Sequence, residues 1–163
     1  PPFHRLALFY HHRLTTARAL YVSTYRRNLI APFRELSERG FLEPIASGAT
    51  HGFLPLMNEQ PLAARAQIAV GVQAFEQAFG RRPAGFWLPE CGYHPGHERF
   101  LKEFGIRYFL MDAHGILFGS PRPKYGVYAP AFCHNGVAAF GSVTCASRSP
   151  LAVTVVNTEL CLC

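Results

Sequence analysis

The sequence predicts an α/β domain in which short parallel strands are joined by helices. Three apolar runs, at residues 41–47, 84–88 and 106–111, have strand length and alternate with segments of helical periodicity. Each run breaks into polar, chemically capable residues: His51, then Glu90, then Asp112 and His114. Strands joined through helices run parallel, so the three loops should leave one edge of the sheet, where α/β proteins build their sites. With 163 residues, 49% of them apolar, the chain can bury one substantial core.

Residues 13–39 read as helical. Leu29, Phe33 and Leu36 form an i, i+4, i+7 stripe that should be buried, with Asn28 as a cap, Pro32 in the first turn and Gly40 as a stop. The 41–47 strand is weakened by Pro44. The loop that follows brackets His51 between Gly48 and Gly52. A helix is expected from Pro61 to Phe79, with proline in its first turn, Gly80 just beyond, and Ile68, Val72, Phe75 and Phe79 as its apolar stripe. After the central strand and the Glu90 loop, a short helix should end near Phe104 and Gly105. Further strands are expected at 126–132 and 136–140, around a turn at His134 and Asn135. Residues 142–163 form an atypical tail, with only Arg148 and Glu159 charged and three of the five cysteines.

Composition excludes several classes. No apolar run reaches the length of a membrane span, so no membrane partner is expected. The net charge of +6 is concentrated in residues 1–41, which carry seven arginines against Glu35 and Glu38. Those arginines suit a solvated helix face, and no nucleic-acid partner is expected. Five cysteines without paired spacing fit a reducing, cytoplasmic setting.

Glu90 is the centre of the chemistry. A glutamate there can be a cap or an exposed charge, but Trp87 and Tyr93 flank it with flat aromatic faces suited to sugar rings. A retaining glycosidase uses one carboxylate as nucleophile and a second acid about 5 Å away. Asp112 is the only aspartate in the chain. A second reading takes Asp112, His114 and a distant histidine as ligands of a divalent ion, as in a metal-dependent polysaccharide deacetylase or hydrolase. No H-x-x-x-H pair supports it, and neither a metal nor another cofactor is expected. A third reading is a non-catalytic carbohydrate-binding remnant. Cys91 reads as a small buried apolar residue, and His94 and His97 as rim groups.

The stretch Thr50-His51-Gly52-Phe53-Leu54-Pro55, followed by Trp87-Leu88-Pro89-Glu90-Cys91-Gly92-Tyr93, resembles glycoside hydrolase family 57, within it the 1,4-α-glucan branching group. Asp112-Ala113-His114-Gly115 and Gly126-Val127-Tyr128-Ala129-Pro130 are similar to the same group. The likeness covers residues 12–141. It implies a partial (β/α)7 barrel, truncated at both ends, with residues 1–40 as a helical part of the insertion region and 41–141 as part of the barrel. It implies α-1,4-glucan as substrate and Glu90 as the nucleophile. His51 would line the cleavage subsite, with Asp112 and His114 as supporting groups. The family's first histidine-rich motif and its later acid/base motif are absent, so the chain alone should lack branching activity.

Overall fold

The computed structural model describes residues 3–142, which divide after Pro44 into two compact units. The 142–163 tail lies outside the described residues but for Ser142.

The first unit is helical. Helix α1 (His4–Ala19) runs into a π-helical turn over Leu20–Thr24, and α2 spans Ile30–Glu38. The helix begins earlier than its apolar pattern suggests. It is interrupted where Arg26 and Arg27 take positive φ of 48° and 63°. Asn28 caps α2 as expected, its Oδ1 accepting from the Ile30 and Ala31 N–H groups at 3.1 Å each. The expected burial of Leu29, Phe33 and Leu36 is not found; they are 46%, 48% and 39% exposed. Among the described residues of this unit, no second layer covers the stripe.

The second unit, from Ile45, carries the sheet. Strand β1 (Ala46–Ser47) is followed by a 3₁₀ turn at Leu54–Met57 and helix α3 (Pro61–Phe79). Then come β2 (Gly85–Trp87), α4 (Glu98–Glu103), β3 (Tyr108–Asp112), α5 (Ala113–Leu117), β4 (Ala131–Phe132) and β5 (Ala138–Ser142). The strand order is β1-β2-β3-β5-β4, parallel throughout except for β4 against β5. The sheet is open, as expected of part of a barrel.

Helix α3 matches its predicted bounds. Gly80 ends it in the left-handed conformation (φ 67°), donating its N–H to the Glu76 carbonyl at 2.8 Å. Ile68, Val72 and Phe75 are buried, and Phe79 packs at the edge of the core. Side chains alternate across the strands, and register fixes which ones share a face. Ala46, Phe86, Phe109 and Ala139 are paired neighbours, all buried in the core that α3, α4 and α5 complete. On the opposite face lie Trp87, Leu110 and Phe140, half-buried or exposed. Parallel sheets are ordinarily buried on both faces, and among the described residues this second face is the less covered of the two.

Candidate active site

Parallel pairing brings the predicted loops to one edge. Ser47 pairs with Trp87 and Trp87 with Leu110, so β1 and β2 end side by side and β3 runs two residues further, to Asp112. The loops bearing His51, Glu90 and Asp112 therefore leave one edge, as the sequence implies. Across the first two, His51 Nε2 lies 3.3 Å from Glu90 Oε1, with both side chains more than half exposed. A carboxylate open to solvent and within hydrogen-bond reach of an imidazole can act as a nucleophile or a base.

The backbone at both residues is unusual. His51, Glu90 and Cys91 hold φ of 55°, 52° and 56°, left-handed values that cost a non-glycine residue about 1–2 kcal/mol each. At Glu90 the strained turn is closed by two hydrogen bonds. The Cys91 N–H donates to the Leu88 carbonyl at 2.8 Å, and the Gly92 N–H to the Pro89 carbonyl at 3.1 Å. Leu88, Pro89 and Cys91 are buried, so the turn anchors itself inside and presents Glu90 outward. Cys91 is buried as its composition suggests.

The two loops interlock. A Cβ on Gly48 would sit 3.1 Å from Pro89 Cγ, and one on Gly92 only 2.2 Å from the Phe53 ring. The His51 loop is also tied to α3 by residues that the sequence reading passes over. The Ala49 N–H donates to the Gln67 carbonyl, the Thr50 N–H donates to Gln67 Oε1 (both 3.0 Å), and Gln67 Nε2 donates to Thr50 Oγ1 at 2.7 Å. Gly71 lets the helix come this close, since a Cβ there would lie 1.9 Å from the Ser47 carbonyl oxygen. A glycine inside an apolar helix, costing about 1 kcal/mol against alanine, was the available signal. Nothing in the pattern marks Gln67.

The other predicted residues divide. Trp87 ends β2 half-buried on the open face of the sheet, and its carbonyl accepts the Ser47 hydroxyl at 3.0 Å. Asp112 and His114 are engaged with each other. Asp112 caps α5, its Oδ1 accepting the His114 backbone N–H, and the same oxygen lies 2.8 Å from His114 Nδ1. Tyr93 is not a rim aromatic. It is 7% exposed, stacks on Phe109 (centroids 5.3 Å) and donates its hydroxyl to Glu98 Oε2 at 2.8 Å. Burial and the Glu98 carboxylate hold that hydroxyl well above the usual tyrosine range, so it stays a donor. The expected sugar platform at Tyr93 is thus replaced by an inward-facing ring, because the apolar surface of β3 claims it. His97 is likewise no rim group. It is 3% exposed, and neither ring nitrogen has a partner among the described residues. Nor do three His, Cys, Asp or Glu side chains cluster as metal ligands among the described residues.

The sequence model of glycosyl hydrolase family 57 matches residues 6–140. The chain belongs to that family. It is 43% identical over 114 residues to a 1,4-alpha-glucan branching enzyme of Thermococcus kodakarensis, covering 61% of this chain and 17% of that protein. Among solved structures, the alpha-amylase AmyC of Thermotoga maritima superposes with a TM-score of 0.73 at 37% identity, covering 85% of this chain and 26% of that one. The family 57-type branching enzyme of Pyrococcus horikoshii gives 0.66 at 39% identity, over 74% and 25%. The chain thus spans about a sixth of the length of the curated relative and a quarter of the two structures.

Proposed function

We propose that this chain carries the nucleophile of a retaining, α-glucan-active enzyme, most closely a 1,4-α-glucan branching enzyme, with Glu90 as that nucleophile. The observation that carries the reading is the Glu90–His51 contact at the carboxyl edge of the sheet, formed by residues held in strained conformations. In the reaction, a Glu90 carboxylate oxygen attacks the anomeric carbon of an α-1,4-linked glucose. The bond from that carbon to the leaving oxygen breaks, and a separate acid protonates the departing chain. A hydroxyl of a second glucan, or water, then displaces Glu90 and yields its proton to the same acid, now a base. Branching and hydrolysis share this intermediate and differ in the acceptor. His51 hydrogen-bonds and orients the carboxylate, and Trp87 offers its indole to the apolar face of a sugar. Asp112 and His114 shape the neighbouring strand end. Asp112 is committed to capping α5, so the proton donor is not assigned to it.

A substrate that needs no proton donor separates nucleophile from acid. Fluoride leaves α-maltosyl fluoride unassisted, so Glu90 alone suffices to form the glycosyl-enzyme. Mass spectrometry should find one maltosyl unit on the peptide bearing Glu90, and none on Glu90→Gln. Labelling of another residue, or none on the wild-type chain, would overturn the assignment. With amylose and no added protein, the chain should form no new branch points.

A further inference from the structure

The loop that carries His51 closes around one side chain of α3. Gly48 and Gly52 bracket His51 in sequence, and both lie against the carboxamide of Gln67. A Cβ on Gly48 would meet Gln67 Oε1 at 3.4 Å, and one on Gly52 would meet Gln67 Cδ at 3.5 Å and Nε2 at 3.6 Å. Both ends of that carboxamide go to a single residue between the glycines. Oε1 accepts the Thr50 N–H at 3.0 Å, and Nε2 donates to Thr50 Oγ1 at 2.7 Å. A planar group bonded at two points fixes the orientation of its partner as well as its distance. The Gln67 carbonyl takes the Ala49 N–H at 3.0 Å, and the His51 N–H donates to the Gly48 carbonyl at 3.1 Å. The chain entering His51 is thus held at each backbone N–H from Ala49 to His51, and at one hydroxyl.

His51 follows directly on Thr50 with φ of 55°, a conformation that histidine does not adopt by preference. Its Nε2 reaches Glu90 Oε1 at 3.3 Å, toward the long end of hydrogen-bonding distance, so a small rotation of the loop breaks the contact. Freed at Thr50, the His51 backbone would relax toward negative φ and carry its ring away from Glu90. Packing alone does not call for glutamine at this half-buried position of α3. Methionine has the same reach and a comparable helix propensity. What glutamine adds is direction.

We propose that Gln67 is a positioning residue of the Glu90 site, acting through Thr50 and His51 rather than on the reacting glucose. Its effect on rate rests on the reading of Glu90 as the nucleophile; its effect on the His51–Glu90 contact does not.

Two readouts on the 163-residue chain separate those effects. The first is the change in the nitrogen NMR shifts of the His51 ring on Glu90→Gln, with and without Gln67→Met. The second is labelling by α-maltosyl fluoride, followed by intact mass as a function of its concentration. The His51 ring should respond to Glu90→Gln in the parent chain and not in Gln67→Met. At saturating fluoride Gln67→Met should label about a hundredfold more slowly, the scale of an ångström of misplacement, with the half-saturating concentration little changed. In a His51→Ala background the same substitution should cost less than about twofold, because no ring remains to be positioned. Gln67→Glu should recover most of the rate, its carboxylate accepting the Thr50 N–H while the Thr50 hydroxyl turns to donate. Thr50→Val leaves α3 untouched, should show the Gln67→Met pattern in smaller measure, and guards against misfolding of that variant. A His51 ring that keeps its response in Gln67→Met overturns the positioning role whatever the rates do, as does one that gives no response in the parent chain. An equal loss of rate with and without the His51 ring also overturns it and leaves Gln67 as a support of the fold. No label on Glu90 in any variant, with the ring response lost in Gln67→Met, upholds the positioning role and strikes the nucleophile reading instead.

Discussion

Gly92→Ala tests whether the two loops that bear His51 and Glu90 are held by packing. At φ −76° and ψ 118° the Gly92 backbone suits alanine, so the substitution adds no backbone strain. In the unfolded chain alanine is the less flexible residue, which alone would stabilise by about 0.4–1 kcal/mol. The added methyl, however, would stand 2.2 Å from Phe53 Cε2, with Cδ2 and Cζ both at 2.9 Å. Three atoms of one ring cannot be cleared by a small twist. Phe53 must retreat by more than 1 Å to reach ordinary contact at 3.4 Å, and it sits two residues from His51. The 3.3 Å contact from His51 to Glu90 then opens. Misplacement on the ångström scale costs about a hundredfold in rate. The assay is glycosyl-enzyme formation from α-maltosyl fluoride, followed by intact mass, with urea denaturation alongside. Gly92→Ala should slow labelling by about that factor while the fold persists. Phe53→Leu in the same chain should restore much of it, a coupling that a double-mutant cycle measures. An unchanged rate in Gly92→Ala would refute the idea that Phe53 sets the His51 position.

Two further outcomes are expected. Gly71→Ala should destabilise the chain by about 1–3 kcal/mol in denaturant unfolding despite alanine's better helix propensity, because α3 must move off the Ser47 carbonyl; equal stability would count against that contact. His97 is buried and its pKa is pushed down to about 4, chiefly by desolvation, with His94 adding to the shift. The unfolded chain therefore takes up a proton first as pH falls below about 6.5. Stability should be full above that pH and decline toward pH 4 by up to about 3 kcal/mol, a loss that His97→Phe should reduce in unfolding curves at pH 7 and pH 4.5.

What could be read from the sequence followed from local rules. Helix α3 is bounded by Pro61 and Gly80, residues whose φ preferences mark helix ends whatever surrounds them. The Glu90 loop was legible because a buried strand broke into a carboxylate. Tyr93 was misread for a definite reason. Sequence shows that an aromatic is near Glu90 but not which way it faces, and Phe109 on the next strand gave its ring a stacking partner inside. His97 was misread in the same way, being drawn under the surface one residue before α4. The Gln67 bonds and the Phe53–Gly92 contact join segments far apart in the chain, and no local periodicity encodes them. The strands at 126–132 and 136–140 shrank to Ala131–Phe132 and shifted to Ala138–Ser142, since pairing, of the first with β5 and of the second with β3, rather than apolar content sets their limits.

The strain at the site follows from what each position must do. Glycine would relieve the left-handed backbone at residues 51 and 90, yet at both the side chain makes the contact that defines the site. The conformation must then be imposed from outside. Gln67 grips the residues before His51, while the buried Pro89 and Cys91 on either side of Glu90 fix that turn. Both arrangements depend on the covered face of the sheet, where α3 reaches β1 over Gly71 and Leu88 lies in the core. The half-covered opposite face leaves Trp87 available at the end of β2. Unequal burial of the two faces thus serves two ends in this unit: it supplies the packing that holds two strained residues together, and it leaves the indole at the end of β2 only half-buried.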